Sequence, residues 1–325
     1  MVQVLLVTFP FFALVLAGYV AARRRMLPLE AIPGLNTFVL FFATPCLLFR
    51  FGASTPLAQL LDPSLFLVYL ACALLMVGFV VAISMNRRMG WNDAAFGALV
   101  ATCPNTGFMG VPLLVAFLGA AAAGPTIVTI VVDIGITTSL CVGLSRLGGG
   151  GEHGFSRAAA NALRGMLGNP MPWAILLGVL ASAVQLELPK PVGQTLELLA
   201  DAASPVALFT IGAVLARSQM LVADTRPLSA RDYLSVAAIK LLVHPLLVLL
   251  VGSAAIQLGL PLDRFALTVG VLVAALPSAS NVPMLAEKFG ADDGRIARII
   301  LISTAAAFLS FPAVVTLLVP ARWSR

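Results

Sequence analysis

Charge is scarce in this sequence. Asp, Glu, Lys and Arg together make up 10% of its 325 residues, against 60% hydrophobic. A soluble domain of that length cannot hide so much apolar surface, so the chain reads as a polytopic membrane protein. Its mean hydropathy of +1.02 agrees. Histidine is limited to His153 and His244, which lie far apart in the expected topology. No Gly-x-Ser-x-Gly, Walker or metal-ligand pattern occurs, which excludes the common hydrolytic and nucleotide-driven chemistries and leaves no catalytic or metal site. The four cysteines, Cys46, Cys72, Cys103 and Cys141, all fall in apolar segments without ligand spacing and read as small buried hydrophobes. The net charge of +6 is carried by short loops between apolar runs, so it points to membrane orientation and away from nucleic acid. The first apolar run has no basic region before it, and no cleaved signal peptide is expected.

Proline and glycine, by contrast, stand where they should not. Residues 101–119 are apolar enough to lie in a bilayer, yet they hold Pro104, Asn105, Gly107, Gly110 and Pro112. A proline inside a helix removes a donor and clashes with the preceding turn, costing about 3 kcal/mol. In hydrocarbon a freed carbonyl has no water to bind, so such a break survives only inside protein or beside a water-filled cavity. A second copy follows at 275–290. Val111-Pro112-x-Leu114 with Gly119 has the spacing of Val282-Pro283-x-Leu285 with Gly290, and Pro104 and Pro277 open the two breaks. Paired interruptions in corresponding halves mark the binding site of a carrier built from inverted repeats.

With about 20 apolar residues per crossing, spans are predicted near 2–22, 34–51, 64–84, 92–119, 125–146, 170–186, 192–216, 232–259, 265–289 and 295–319. The fold expected is therefore an all-α membrane protein of ten transmembrane helices. It divides as a 5+5 inverted repeat with two discontinuous helices, spans 4 and 9. Residues 1–146 form the first repeat, 147–169 a linker and 170–325 the second repeat. In the linker, Gly148–Gly151 is a flexible run and 156–167 a short interfacial helix.

Charges test the count. The loops after odd-numbered spans carry Arg23, Arg24 and Arg25; Arg87 and Arg88; Arg146, Arg157 and Arg164; Arg217, Arg226 and Arg231; and Lys288, Arg295 and Arg298. The other side has only Arg50, Lys190, Arg264, Arg322 and Arg325. The richer side is cytoplasmic by the positive-inside rule, which puts both termini outside. Thr44-Pro45-Cys46-Leu47-Leu48-Phe49 in span 2 also resembles Ser204-Pro205-Val206-Ala207-Leu208-Phe209 in span 7, as duplication requires.

Polar residues within spans are costly and mark function by default. Asn105, Thr106, Ser278, Ser280 and Asn281, together with Pro104 and Pro277, form the candidate substrate site. Unpaired N–H groups and the positive dipole end of a half-helix suit a carboxylate. Asparagine adds donors and an acceptor without a buried charge. The alternative is that these side chains only cap broken helix ends, and the two roles are compatible. Lys240 and His244, four apart on one face of span 8, and Asp133 in span 5 form a second group. A rise of 1.5 Å per residue puts Lys240 and Asp133 each about 12 Å into the bilayer from opposite ends, within side-chain reach of one another. The pair is either structural or opens as a substrate or proton binds, and His244 is either a proton relay or a donor to a carbonyl. Asp201 and Glu197, in the outer part of span 7, are expected to be solvated.

These residues resemble the auxin efflux carrier family, which includes plant PIN carriers and bacterial malonate or malate permeases. Pro104-Asn105-Thr106 with Met109-Gly110-Val111-Pro112-Leu113-Leu114 is similar to its first crossover. Ala275-Leu276-Pro277 with Val282-Pro283 and Ala286 is similar to its second. Leu16-Ala17-Gly18-Tyr19, Ala203-Ser204-Pro205-Val206-Ala207-Leu208 and Lys240-Leu241-Leu242 with Pro245 extend the resemblance over nearly the whole chain. It implies a fold like sodium/bile-acid symporters. Spans 1, 2, 6 and 7 would be scaffold and homodimer interface, and spans 3–5 and 8–10 a mobile transport domain. It also implies an elevator-like movement and a small organic anion as substrate. The short central loop resembles the bacterial members.

Three functions remain open at this point. The first is a secondary carrier of a malonate- or malate-like carboxylate in a bacterial inner membrane, running on a gradient or passively. The second is a symporter of an amphipathic anion coupled to Na+, with Ser278, Ser280 and Asn281 as ligands. The third is a membrane sensor that binds an anion without moving it. No cofactor is expected beyond Na+ or H+ as coupling ion.

Overall fold

The computed structural model describes residues 2–54, 62–85, 89–147, 170–186, 188–221 and 230–319. Among the described residues the chain is helical, with no named strand. The helices are α1 (Val2–Arg23), α2 (Leu29–Ser54), α3 (Pro63–Ser84), α4 (Trp91–Thr102), α5 (Thr106–Leu118) and α6 (Ala120–Ser145). They continue as α7 (Pro170–Ala183), α8 (Lys190–Leu221), α9 (Ala230–Gln257), α10 (Arg264–Ala274), α11 (Val282–Lys288) and α12 (Asp293–Leu318). Six of these, α2, α3, α6, α8, α9 and α12, contain stretches long and apolar enough to cross a membrane. Helices occupy the ranges of the predicted spans, and the ranges of spans 4 and 9 each hold two helices. The glycine run and interfacial helix expected in the linker lie outside the described residues.

Acidic side chains start several helices. Asp62 accepts from the Ser64 and Leu65 amides at 2.9 and 3.0 Å, Asp263 from Ala266 at 3.1 Å, and Asp292 from Arg295 at 2.8 Å. Each supplies an acceptor to donors that a first helical turn leaves unpaired.

Proline has a second effect that repeats along the chain. Val39–Ala43, Thr106–Gly110 and Ile239–Val243 are π-helical, and each ends two residues before a proline: Pro45, Pro112 and Pro245. A proline ring crowds the carbonyl four residues back and offers it no N–H. Those carbonyls belong to Phe41, Phe108 and Leu241, all inside the widened turns, so local widening relieves the clash without ending the helix. A fourth π segment, Val131–Thr137, has no such proline and contains Asp133. There Thr138 Oγ1 donates to the Asp133 carbonyl at 2.8 Å.

Two helix pairs pack through glycine. On α1 and α8, a Cβ at Gly18 would overlap the Phe209 carbonyl, and one at Gly212 the Val15 carbonyl. On α2 and α7, Gly52 lies against the Ile175 carbonyl and Gly178 against that of Phe49. Small residues let membrane helices approach at backbone distance, where dispersion and weak contacts hold them. Gly212→Val is expected to force α1 from α8 and cost at least the ~1–3 kcal/mol typical of overpacking. A thermal melt in detergent should fall by several degrees. Gly78→Val, at a position with open space around it, should leave the melt unchanged.

The main core lies among α3–α6 and α9–α12, with α1 and α8 against it. A smaller apolar cluster joins Ala43, Leu47, Phe51, Ala200 and Ala203 of α2 and α8 to Val111, Ala123, Ile127 and Ile130 of α5 and α6.

Candidate functional site: two helix breaks in contact

The breaks predicted from Pro104 and Pro277 meet. Between α4 and α5, residues 103–105 leave the helix, with Cys103 extended and Asn105 in a bend. Between α10 and α11, residues 275–281 are non-helical. The Asn105 amide donates to the Pro277 carbonyl at 2.8 Å, and the Ala279 amide to the Cys103 carbonyl at 3.0 Å. Together they make a single antiparallel bridge between Pro104 and Ser278. Two amides and two carbonyls that the breaks free are thus paired across the contact, as burial away from water requires. Pro104 and Pro277 sit where no N–H is needed.

The matched glycines are explained by the same geometry. Gly119 follows α5 with φ +79°, and Gly290 follows α11 with φ +68°. A side chain in that left-handed region is strained, so glycine ends both half-helices. Gly110 serves a different need, since a Cβ there would press Leu276 of the other break at 2.7 Å.

The candidate substrate residues do not share one exposure. Pro104, Asn105, Thr106, Pro277, Ser278 and Ser280 are buried, whereas Asn281 is exposed. Thr106 Oγ1 donates to the Pro104 carbonyl at 3.4 Å. The Ser278 amide donates to Ser303 Oγ of α12 at 3.2 Å, while Ser278 Oγ has no partner. Neither Asn105 nor Asn281 caps the following helix with its side chain. Both amides are therefore free of the capping role that the sequence also allowed. Across the joined breaks Asn281 is exposed, Gly107, Ala279 and Pro283 are half-buried, and Asn105 is covered.

The ionisable group lies behind them. Lys240 and His244 are fully buried. Lys240 Nζ donates to the Ala274 carbonyl at 2.8 Å and lies 3.0 Å from His244 Nδ1. Ala274 is the last residue of α10, so the ammonium caps the helix end that the break creates, where a cation is favoured. Asp133 is buried in its π turn, within electrostatic reach of Lys240 and the Tyr69 hydroxyl. No Asp133–Lys240 ion pair closes to 4.0 Å among the described residues, and neither Asp133 carboxylate oxygen has a hydrogen bond. The predicted pair is therefore near but open. His244 Nε2 also lacks a partner, and its ring lies 6.0 Å from that of Tyr69.

A profile described as "Membrane transport protein" matches residues 4–153 and 154–315. The chain belongs to this family, the auxin efflux carriers. It is an integral membrane transport protein and not an enzyme. A Rhizobium meliloti (strain 1021) protein named "Putative malonate transporter" is 29% identical over 298 residues, covering 91% of this chain and 89% of its own. The "Uncharacterized transporter YfdV" of Escherichia coli (strain K12) is 26% identical over 291 residues, 86% of each chain. An "Uncharacterized transporter" of Methanothermobacter thermautotrophicus is 29% identical over 307 residues, 92% of this chain and 93% of its own.

Four residues of this family member escaped the sequence reading. Tyr69, Thr102 and Thr137 have buried hydroxyls without partners, and Ser303 holds the second break. A lone hydroxyl in an apolar span gives no sequence signal, since it most often bonds its own helix. Arg295, counted as a loop cation, is buried at the start of α12. It donates to the Asp232 and Asp93 carbonyls, each at 3.0 Å. Asp201 is exposed and pairs with Arg50 at 2.7 Å.

Proposed function

We propose that this chain is a secondary carrier of a small organic anion, a malonate- or malate-like carboxylate, bound where the two breaks meet. The observation that carries this reading is the pair of hydrogen bonds joining the breaks around Asn105. In this reading the chain crosses the bilayer ten times as two antiparallel five-span halves, 1–146 and 170–325, with α4–α5 and α10–α11 as the crossing discontinuous helices. The glycine-packed pairs α1–α8 and α2–α7 support it, because they exchange under the same half-to-half relation. The Rhizobium relative's name makes malonate the first substrate to try.

Asn105 and Asn281 bind the carboxylate through their amides, with Thr106, Ser278 and Ser280 lining the site. Lys240, His244 and Asp133 set the shape of the break behind it. α1, α2, α7 and α8 form a scaffold and α3–α6 with α9–α12 a transport domain that moves as an elevator. The apolar cluster joining α2 and α8 to α5 and α6 supports sliding, since non-directional apolar contacts can re-form after a shift. The exposed Trp173, Leu176, Leu177 and Leu180 of α7 are the face for a homodimer or for lipid. The cation-rich loops support an orientation with both termini outside, and the bacterial relatives support an inner membrane as its location.

Uptake of labelled malonate into proteoliposomes tests this. Wild-type uptake should saturate. Asn105→Ala should lower it about ten- to a hundredfold with an unchanged melt, because hydrogen bonds to a charged group contribute about 1.5–3 kcal/mol. Normal uptake by that variant removes the site assignment. Replacing sodium by choline, with and without a protonophore, separates Na+, H+ and passive modes. Binding without flux would make the chain a sensor instead.

A further inference from the structure

We propose that a groove between the end of α9, the start of α10 and the end of α12 binds the phosphodiester headgroup of a membrane phospholipid, with Arg264 on the phosphate. This site is separate from the joined breaks and independent of the substrate assigned there. The cavity holds about 350 Å³. That is near the lower limit for small-molecule pockets, enough for a headgroup and its first methylenes but not for two acyl chains.

Its lining divides by chemistry. Leu249, Leu267, Val271 and Leu318 present apolar wall, while Ser253, Gln257, Arg264 and Thr268 present polar groups. Among the described residues the exposed Arg264 guanidinium has no hydrogen-bond or ion-pair partner, and only its main-chain carbonyl is used, by Thr268 Oγ1 at 2.8 Å. The nearest acid in sequence, Asp263, turns its carboxylate to the Ala266 amide at 3.1 Å. A planar guanidinium matches two phosphate oxygens at once, and the Ser253 hydroxyl and Gln257 amide suit the remaining headgroup oxygens.

The position favours a lipid over a soluble anion. The groove lies at one end of α9, α10 and α12, in a protein whose helices sit in lipid. Leu258, 88% exposed, and Leu317, 83% exposed, flank it and offer apolar surface to acyl chains leaving the cavity. The chain's own last residues, 320–325, carry Arg322 and Arg325 and so share the groove's charge. A phosphodiester carries one negative charge, which a single guanidinium neutralises.

Native mass spectrometry of the delipidated full chain, titrated with phosphatidylglycerol, tests the site. Wild type should retain one lipid about tenfold more tightly than Arg264→Gln. Arg264→Lys should fall between, because an ammonium keeps the charge but loses the two-pronged contact. Leu249→Trp, at a half-buried position in the apolar wall of the groove, should weaken binding with the charge intact. Melts read in parallel should show phosphatidylglycerol raising the wild-type midpoint more than that of Arg264→Gln. Inorganic phosphate at millimolar concentration should raise neither. Equal retention by wild type and Arg264→Gln would overturn the proposal, as would full stabilisation by inorganic phosphate alone, which would make this a soluble-anion site.

Discussion

Joining Phe12→Cys in α1 to Phe308→Cys in α12 with a short bifunctional thiol reagent is expected to abolish flux, and cleaving the link to restore it. The two native rings meet edge to face, centroids 5.2 Å apart, across the boundary between the proposed scaffold and transport domain. An elevator requires α12 to slide past α1, so a covalent tie there holds the carrier in one state whatever the affinity of its site. The effect should exceed that of any single binding residue, because no turnover survives a fixed boundary. The uncrosslinked double variant must carry some flux, and each single variant treated with reagent controls for the four native cysteines. Full transport by the crosslinked protein would mean that α1 and α12 move together, and the proposed division of helices would fall.

The second large effect is expected at Lys240. Lys240→Met leaves the Ala274 carbonyl without its donor and removes the charge nearest to the buried Asp133. Removing the nearby cation leaves the buried Asp133 without compensation in low dielectric, a loss bounded by the ~3–5 kcal/mol of a fully formed buried pair. Part of that loss should return in Lys240→Met with Asp133→Asn, where no uncompensated carboxylate is left. The part that does not return measures the helix-end cap on Ala274. Thermal melts of the two single variants and the double variant give the coupling energy directly. Strict additivity would show that Asp133 and Lys240 do not interact across the gap that separates them. Transport should fail in Lys240→Met even where the protein is folded, since the end of α10 positions Pro277 and Ser278.

Much of this molecule was legible in its residues. Ten apolar stretches appeared as helices or broken pairs of helices near the predicted limits. The two breaks appeared at Pro104 and Pro277, where a missing donor and a ring clash act within one turn of chain. The repeated Gly119 and Gly290 proved to be the left-handed ends of half-helices, a local backbone requirement that any copy of the motif must meet. The π turns before Pro45, Pro112 and Pro245 were equally local, though the spacing went unread. Hydropathy, proline and glycine act through the nearest few residues, so the order of amino acids is sufficient to locate their effects.

The pairing of elements was decided elsewhere. Nothing in the order of residues told that the Asn105 amide would choose the Pro277 carbonyl, 172 positions away. Nor did it tell that Lys240 would cap Ala274 and leave Asp133 open, or that Asn281 would face outward while Asn105 was covered. A buried ammonium takes whichever acceptors the packed helices bring within about 3 Å. Those distances are set by how glycines, leucines and broken ends fit together in three dimensions. Composition and local backbone chemistry determined the helices and their interruptions, whereas the company kept by each buried polar group exists only once the helices have packed.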